Sequence, residues 1–174
     1  MHRLLLLRHA KSSWDDPALS DHARPLNAKG RRAAGAMAVA MGGLGLLRPD
    51  LVLVSSSRRT LQTLEALGPL DGARVDVTDD LYLAPWTRLL DALRDVQEET
   101  RSVLLLAHNP GLHELALELA GDAASARDLD VLREAYPTCG LAEFEVPGRW
   151  GGLARGEGRL LRFLAPRDLP EPAA

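Results

Sequence analysis

Two histidines and three arginines stand directly after short apolar runs. Leu4–Leu7 ends in Arg8-His9, Leu51–Val54 ends in Ser55-Ser56-Ser57-Arg58-Arg59, and Val103–Ala107 ends in His108-Asn109. Arginine presents a planar fork of donors that matches a phosphate. A neutral imidazole can attack phosphorus, provided that one ring nitrogen is held by an acceptor so that the other faces the phosphate. A second histidine, protonated beside a dianion, can stabilise the transition state. Brought together, these residues suit phosphoryl transfer, which needs positioning and neutralisation of the equatorial oxygens.

That convergence requires the three runs to be neighbouring parallel strands. Each run is too short for a helix and lacks polar alternation, as expected of strands buried on both faces. Helical patterns lie between and after them: Ala28–Met41 with Asn27 as N-cap, Thr60–Leu67, Pro85–Val96 with Leu89, Leu90, Leu93 and Val96 on one face, and Pro110–Ala120. The alternation predicts an α/β three-layer sandwich, a mostly parallel central sheet with helices on both faces. Leu141–Val146 alternates apolar and polar residues and reads as an antiparallel edge strand, with Arg159–Leu164 as its partner. In open α/β sheets ligands bind outside the carboxyl ends of the strands. Helix N-termini there add positive potential for an anion.

The chain has 174 residues, 46% hydrophobic and 26% charged, which predicts one domain over 1–165. The flexible Pro-rich tail expected over 166–174 carries three prolines. With 21 basic against 24 acidic residues and a net charge of -3, no nucleic-acid partner is expected. The leading apolar run is too short for a signal-peptide core or a membrane span, so the expectation is a soluble, cytoplasmic protein with no membrane partner.

Other chemistries fit poorly. The lone cysteine, Cys139, permits neither an intramolecular disulfide nor a Cys-based zinc site. A cysteine phosphatase needs an arginine six residues after its nucleophile, and Glu145 stands there. No Gly-rich loop ends in Gly-Lys-Ser/Thr. His108 and His113 are five apart rather than four, so no metal site is expected. Asp128-Leu129-Asp130 follows polar Ser125-Ala126-Arg127 and reads as a charge pair on a helix or loop, not an aspartate nucleophile. His2 and His22 read as surface residues, and Trp14, Trp86 and Trp150 as packing residues.

The same residues resemble a known family. Leu5-Leu6-Leu7-Arg8-His9-Ala10 is similar to the strand-plus-RHG signature of the histidine phosphatase superfamily. Ser55 through Arg59 to Gln62-Thr63, and Leu105-Leu106-Ala107-His108, resemble its arginine and second-histidine segments. Arg8 through Trp14, then Asp21-His22-Ala23-Arg24-Pro25-Leu26, Gly30 and His108-Asn109-Pro110-Gly111, resemble the SixA-type phosphohistidine phosphatase branch. The resemblance implies His9 as a nucleophile that becomes phosphorylated, Arg8 and Arg59 as phosphate-binding arginines, and His108 as the second pocket histidine. It puts Ser12 and Asn109 beside the phosphate and Arg58 outside. It implies no cofactor and no metal, and a phosphorylated protein or small phosphorylated molecule as partner.

Two departures matter. Ala10 replaces the family's usual glycine, which requires a backbone conformation that a Cβ tolerates. Relatives acting on alcohol esters carry an acid after the middle strand. Asp80, beside Asp79, is the candidate here, although a solvated Asp pair in a turn is the simpler reading. A phosphohistidine substrate relaxes the need, because imidazole can leave with its proton in place, whereas an alkoxide needs an acid. The expectation is a metal-independent phosphatase acting on phosphohistidine of a protein. The alternatives are a small-molecule phosphomonoesterase using Asp80, or a phosphate- or phosphoprotein-binding module without turnover.

Overall fold

The three apolar runs lie side by side at the centre of one sheet. The computed structural model describes residues 1–121 and 126–170. Strands β1 (His2–Arg8), β2 (Leu51–Ser55), β3 (Arg74–Thr78), β4 (Ser102–Ala107), β5 (Leu141–Val146) and β6 (Arg159–Leu164) pair in the order β3-β2-β4-β1-β5-β6. Strands β1 to β4 are mutually parallel. Only β5 runs against its neighbours β1 and β6.

The central strands β1, β2 and β4 bury both faces of the sheet, since successive side chains point to opposite sides. Leu4, Leu6, Leu53 and Leu105 join one core with Leu89 and Leu93 of α3 (Trp86–Arg94) and Leu112 and Leu115 of α4 (Gly111–Ala120). Leu129 and Leu132 of α5 (Ala126–Glu134) close that layer. Leu5, Leu7, Val52, Val54, Leu104 and Leu106 form the opposite core with Met37 and Met41 of α1 (Ala28–Gly43), flanked by α2 (Arg58–Ala66). A fully buried leucine contributes roughly 1.5–3 kcal/mol.

The antiparallel direction of Leu141–Val146 agrees with the sequence expectation, but its edge position does not. β6 lies outside it, and Leu141–Phe144 are all buried. The polar position that suggested a solvated face is Glu143, which is 1% exposed. It is covered by Arg3 of β1 at 3.2 Å and Arg162 of β6 at 2.6 Å. β3, absent from the sequence reading, is the true edge on the other side, with Val75 and Val77 exposed.

Helix limits follow local chemistry. Asn27 accepts from Gly30 N at 2.7 Å and caps α1 as expected. α2 starts earlier than the apolar pattern suggested, at Arg58, with Ser57 at its N-cap. Asp128 and Asp130 lie on α5, while Ser125 is outside the described residues. Of the Pro-rich tail, Pro166–Asp168 form a 3-10 turn and Leu169 packs against the α1-side core. Residues 171–174 lie outside the described residues. No described helix is long and apolar enough to cross a membrane.

The topology creates a crevice. α1, following β1, packs on one face of the sheet, whereas α4, following the adjacent β4, packs on the other. Neighbouring parallel strands whose connections diverge in this way open a cleft at their carboxyl ends. Two glycines let chain segments close around it. A Cβ on Gly30 would sit 2.1 Å from Lys11 O, and one on Gly111 would sit 2.0 Å from Ala84 O.

Candidate active site

His9 leaves β1 and turns into the cleft, 7% exposed. Its Nδ1 lies 2.7 Å from Ala10 O. A carbonyl only accepts, so Nδ1 carries the proton and Nε2 keeps its lone pair. Ala10 N in turn donates to Thr63 Oγ1 at 2.9 Å, and Thr63 Oγ1 donates to Arg59 O at 2.7 Å. The first turns of α2 thereby anchor the backbone at His9. Ala10 is buried and is not among the positive-φ residues, so its methyl is accommodated. Gln62 serves the same anchoring: its Oε1 accepts from Leu26 N at 2.8 Å.

His108 follows β4, with its ring centroid 5.1 Å from that of His9. Arg59 Nη2 faces His108 Nδ1 at 3.4 Å, and arginine can only donate. His108 Nε2–H therefore donates to the fully buried Ser55 Oγ at 2.7 Å. Tyr82 stands edge-on to His108 at 5.4 Å. Arg8 and Asn109 converge from β1 and β4 on one acceptor, Tyr136 O, at 3.0 and 2.8 Å. Arg8 Nε and Asn109 Oδ1 are buried without a hydrogen-bond partner among the described residues. Such atoms favour a ligand that can satisfy them.

The segment between β1 and α1 builds the far wall. Asp21 accepts from Arg59 Nη2 at 3.1 Å, from Arg24 Nη1 at 2.9 Å, and from the Tyr82 hydroxyl. Arg24 also donates to Ser12 Oγ at 2.5 Å and lies 3.2 Å over the Trp14 ring. The resulting cavity of about 320 Å³ is lined by Arg8, His9, Lys11, Ser12, Trp14, Arg24, Arg59, Leu83, His108, Asn109 and Thr138. Four of these side chains are cations and none is a carboxylic acid. The arrangement suits a compact oxyanion such as phosphate.

Burial and cationic neighbours set the protonation states. The His9 pKa falls to about 4, mainly through burial, then through Arg59, Arg8 and Arg24, against the Ala10 hydrogen bond that raises it. The His108 pKa falls to about 3, through burial and then the proximity of His9 and Arg59. Both rings are neutral at pH 7 in the free protein. Asp21 is held down to about 2, first by the Tyr82 hydrogen bond and then by Arg24 and Arg59. It remains a carboxylate that fixes both guanidinium groups.

Comparison with known proteins fits this geometry. A sequence model described as Histidine phosphatase superfamily (branch 1) matches residues 4–82. The structure of a proposed phosphohistidine phosphatase, SixA, from Nakamurella multipartitia is 31% identical, with a TM-score of 0.83 over 95% of this chain and 96% of that one. A second proposed SixA, from Agrobacterium tumefaciens, is 31% identical, with a TM-score of 0.77 over 94% and 97%. The chain belongs to the histidine phosphatase superfamily, in its SixA-type branch. An uncharacterised protein of Mycobacterium tuberculosis is also 35% identical over 167 residues, covering 92% of this chain and all of that one. A phosphatase in the hydrolase class is the enzyme type of this SixA-branch chain.

In this histidine phosphatase, His9, Arg8, Arg59, His108, Ser12 and Asn109 all line one cavity. Arg58 is exposed and does not line it. Asp80 is not brought to the cavity. It lies exposed in a 3-10 turn over Asp79–Leu81, where its backbone N donates to Thr78 Oγ1, and Asp79 accepts from Ser56. Neither carboxylate is among the cavity-lining residues, and it is Tyr82, just after the turn, that stands against His108. His22, read from sequence as a surface residue, is half-buried. It contacts Ser56 Oγ at 2.9 Å and the Tyr82 ring at 4.8 Å. Trp150 is fully buried as expected of a packing residue, but Trp14 is 77% exposed at the cavity rim. Arg24, Asp21, Ser55, Tyr82 and Thr63 were unassigned in the sequence reading. Arg24, Asp21, Ser55 and Thr63 fell within segments that carry the family resemblance, but only the fold shows what each one holds. His113 bonds Leu132 O at 2.6 Å, and no group of three or more metal-ligating side chains occurs among the described residues.

Proposed function

We propose that the chain removes the phosphoryl group from phosphohistidine on a protein through a covalent intermediate on His9. The observation that carries this reading is the 2.7 Å bond from His9 Nδ1 to Ala10 O, which leaves Nε2 unprotonated in a cation-lined cavity. In the first step Nε2 attacks phosphorus, the substrate P–N bond breaks, and the leaving imidazole keeps its electron pair and the proton on its other nitrogen. Arg8, Arg59 and His108 hold the three equatorial oxygens, with Ser12 and Asn109 beside them. In the second step water attacks phospho-His9, releasing inorganic phosphate and restoring the neutral ring. An incoming dianion raises the proton affinity of His108, so the histidine that is neutral in the free protein becomes a cation as charge builds.

Among the described residues no carboxylic acid lines the cavity, which favours a leaving group that needs no acid. The test is phosphate release from a phosphohistidine peptide, from p-nitrophenyl phosphate and from an alkyl phosphomonoester by wild type and His9→Ala, with chelator throughout. Chelator-resistant turnover of the peptide, lost in His9→Ala, is the expected result. Faster turnover of alkyl phosphomonoesters than of the peptide would overturn the substrate assignment. Activity retained in His9→Ala would overturn the nucleophile.

A further inference from the structure

A second, larger cavity of about 710 Å³ opens beside the first and shares Arg8, Lys11 and Thr138 with it. It runs between the N-terminal half of α1 and the 3-10 turn at Pro166–Asp168. Its rim carries Lys11, Lys29, Arg32 and Arg167, all exposed. Its floor is apolar and small, with Ala33 and Ala36 of α1 facing Ala165 and Leu169.

The charge placement is unusual for this chain. The protein carries a net charge of -3, yet among the described residues none of those lining this groove is acidic. Both lysines of the sequence lie on it. Lys11, Lys29 and Arg32 make no ion pair among the described residues, and Arg167 meets only Asp168, at 3.9 Å. Lys29 sits in the first turn of α1, which holds no acidic residue. A cation there opposes the helix macrodipole instead of offsetting it. Helix and side chains thus add to one positive field.

We infer that this groove docks an acidic, amphipathic segment of the phosphorylated polypeptide, next to the histidine whose phosphate enters the His9 cavity. The inference rests on the phosphoprotein reading above. A compact polyphosphate needs cations that converge on one point, whereas these stand along a rim above an apolar floor. An extended partner meets that pattern with carboxylates at the rim and small aliphatic side chains below. The alanine-lined face of α1 lets a polypeptide backbone approach closely.

The experiment compares two phosphohistidine peptides of equal length, one flanked by Glu and Leu, the other by Ser and Gln. Wild type and the double variant Lys29→Glu/Arg32→Glu are each assayed on both peptides and on p-nitrophenyl phosphate. In parallel, fluorescence anisotropy measures binding of the unphosphorylated peptides. The double variant is expected to raise KM for the acidic peptide about tenfold or more, with kcat within about twofold. Its constants on p-nitrophenyl phosphate stay near wild type, because neither residue lines the His9 cavity. Equal KM for the two peptides in wild type overturns the proposal. So does competitive inhibition by pyrophosphate that the double variant relieves while its peptide KM is unchanged, which would make the groove a small-polyanion site. If wild type binds the acidic peptide but fails to dephosphorylate it, the phosphohistidine reading falls and the groove assignment stands.

Discussion

Asp21 holds Arg59 at two points, accepting from Nη1 through its main-chain carbonyl at 2.8 Å and from Nη2 through its carboxylate at 3.1 Å. Arg59 comes from the start of α2 and Asp21 from the loop after β1, so this bond ties the two sides of the cleft together. The guanidinium plane is set before any ligand arrives, which reduces the ordering cost of binding. Asp21→Ala removes one contact on Arg59 and one on Arg24, and kcat/KM on p-nitrophenyl phosphate is expected to fall about tenfold. Asp21→Asn keeps an acceptor oxygen and should stay within about threefold of wild type. Equal losses in the two variants would show that charge, not position, is what Asp21 contributes.

Ser55 is the corresponding support for His108. Its hydroxyl accepts from Nε2 at 2.7 Å in a fully buried position. Ser55→Ala leaves a buried N–H without a partner, which costs about 1–3 kcal/mol. The expected outcome is a lower urea midpoint and a reduced kcat, with the imidazole nitrogen resonances of His108 shifting on NMR. Resonances that stay in place would mean that Arg59 alone orients the ring.

The sheet centre and the meeting of Arg8, His9, Arg59 and His108 at one cavity were legible because they depend on local signals. Apolar runs such as Leu4–Leu7 and Val103–Ala107 are buried on both faces, and each ends at the cleft. β3 was not legible, because Arg74–Thr78 is an edge strand with exposed valines and no continuous apolar run. Glu143 misled for the opposite reason: its partners, Arg3 and Arg162, come from strands distant in sequence. Asp21 and Tyr82 look like loop residues until the chain folds, since Asp21 meets Arg59 across 38 residues and Tyr82 meets Asp21 across 61. Asp80 shows the limit of reasoning from position alone. Its place in sequence was suitable, but the direction of a turn decides whether a carboxylate enters a cavity.

Gly30 was visible in the sequence only as part of a family pattern, and the fold supplies its reason. The first turn of α1 packs directly on the backbone at Lys11, leaving no room for a methyl group 2.1 Å from Lys11 O. Gly30→Ala must therefore push α1 away from the segment that carries His9 and Ser12. Helix propensity alone favours alanine by about 1 kcal/mol, but backbone overlap costs more, about 1–3 kcal/mol. A net fall in Tm is expected, together with a raised KM for p-nitrophenyl phosphate. A stabilised variant would show that α1 can shift without disturbing the site.

The depressed histidine pKa values make stability depend on pH. His9 and His108 titrate near 4 and 3 when folded, against an unfolded value of 6.5. Between those limits the unfolded chain binds more protons, so stability rises with pH. Their full contribution is present above about pH 6.5 and declines as pH falls toward 4. Each histidine accounts for up to about 1.4 kcal/mol per pH unit below its unfolded value, so the loss from pH 7 to pH 5 for the pair is on the order of 4 kcal/mol. Asp21, depressed to about 2, adds to the loss only below its unfolded value of 3.8. Urea unfolding at pH 7 and pH 5 tests this, with the His9→Asn/His108→Asn variant as the comparison. Wild type should lose stability over that interval, and the variant, which has neither imidazole to protonate, should lose much less. The same slope in both proteins would place the acid sensitivity outside the cavity.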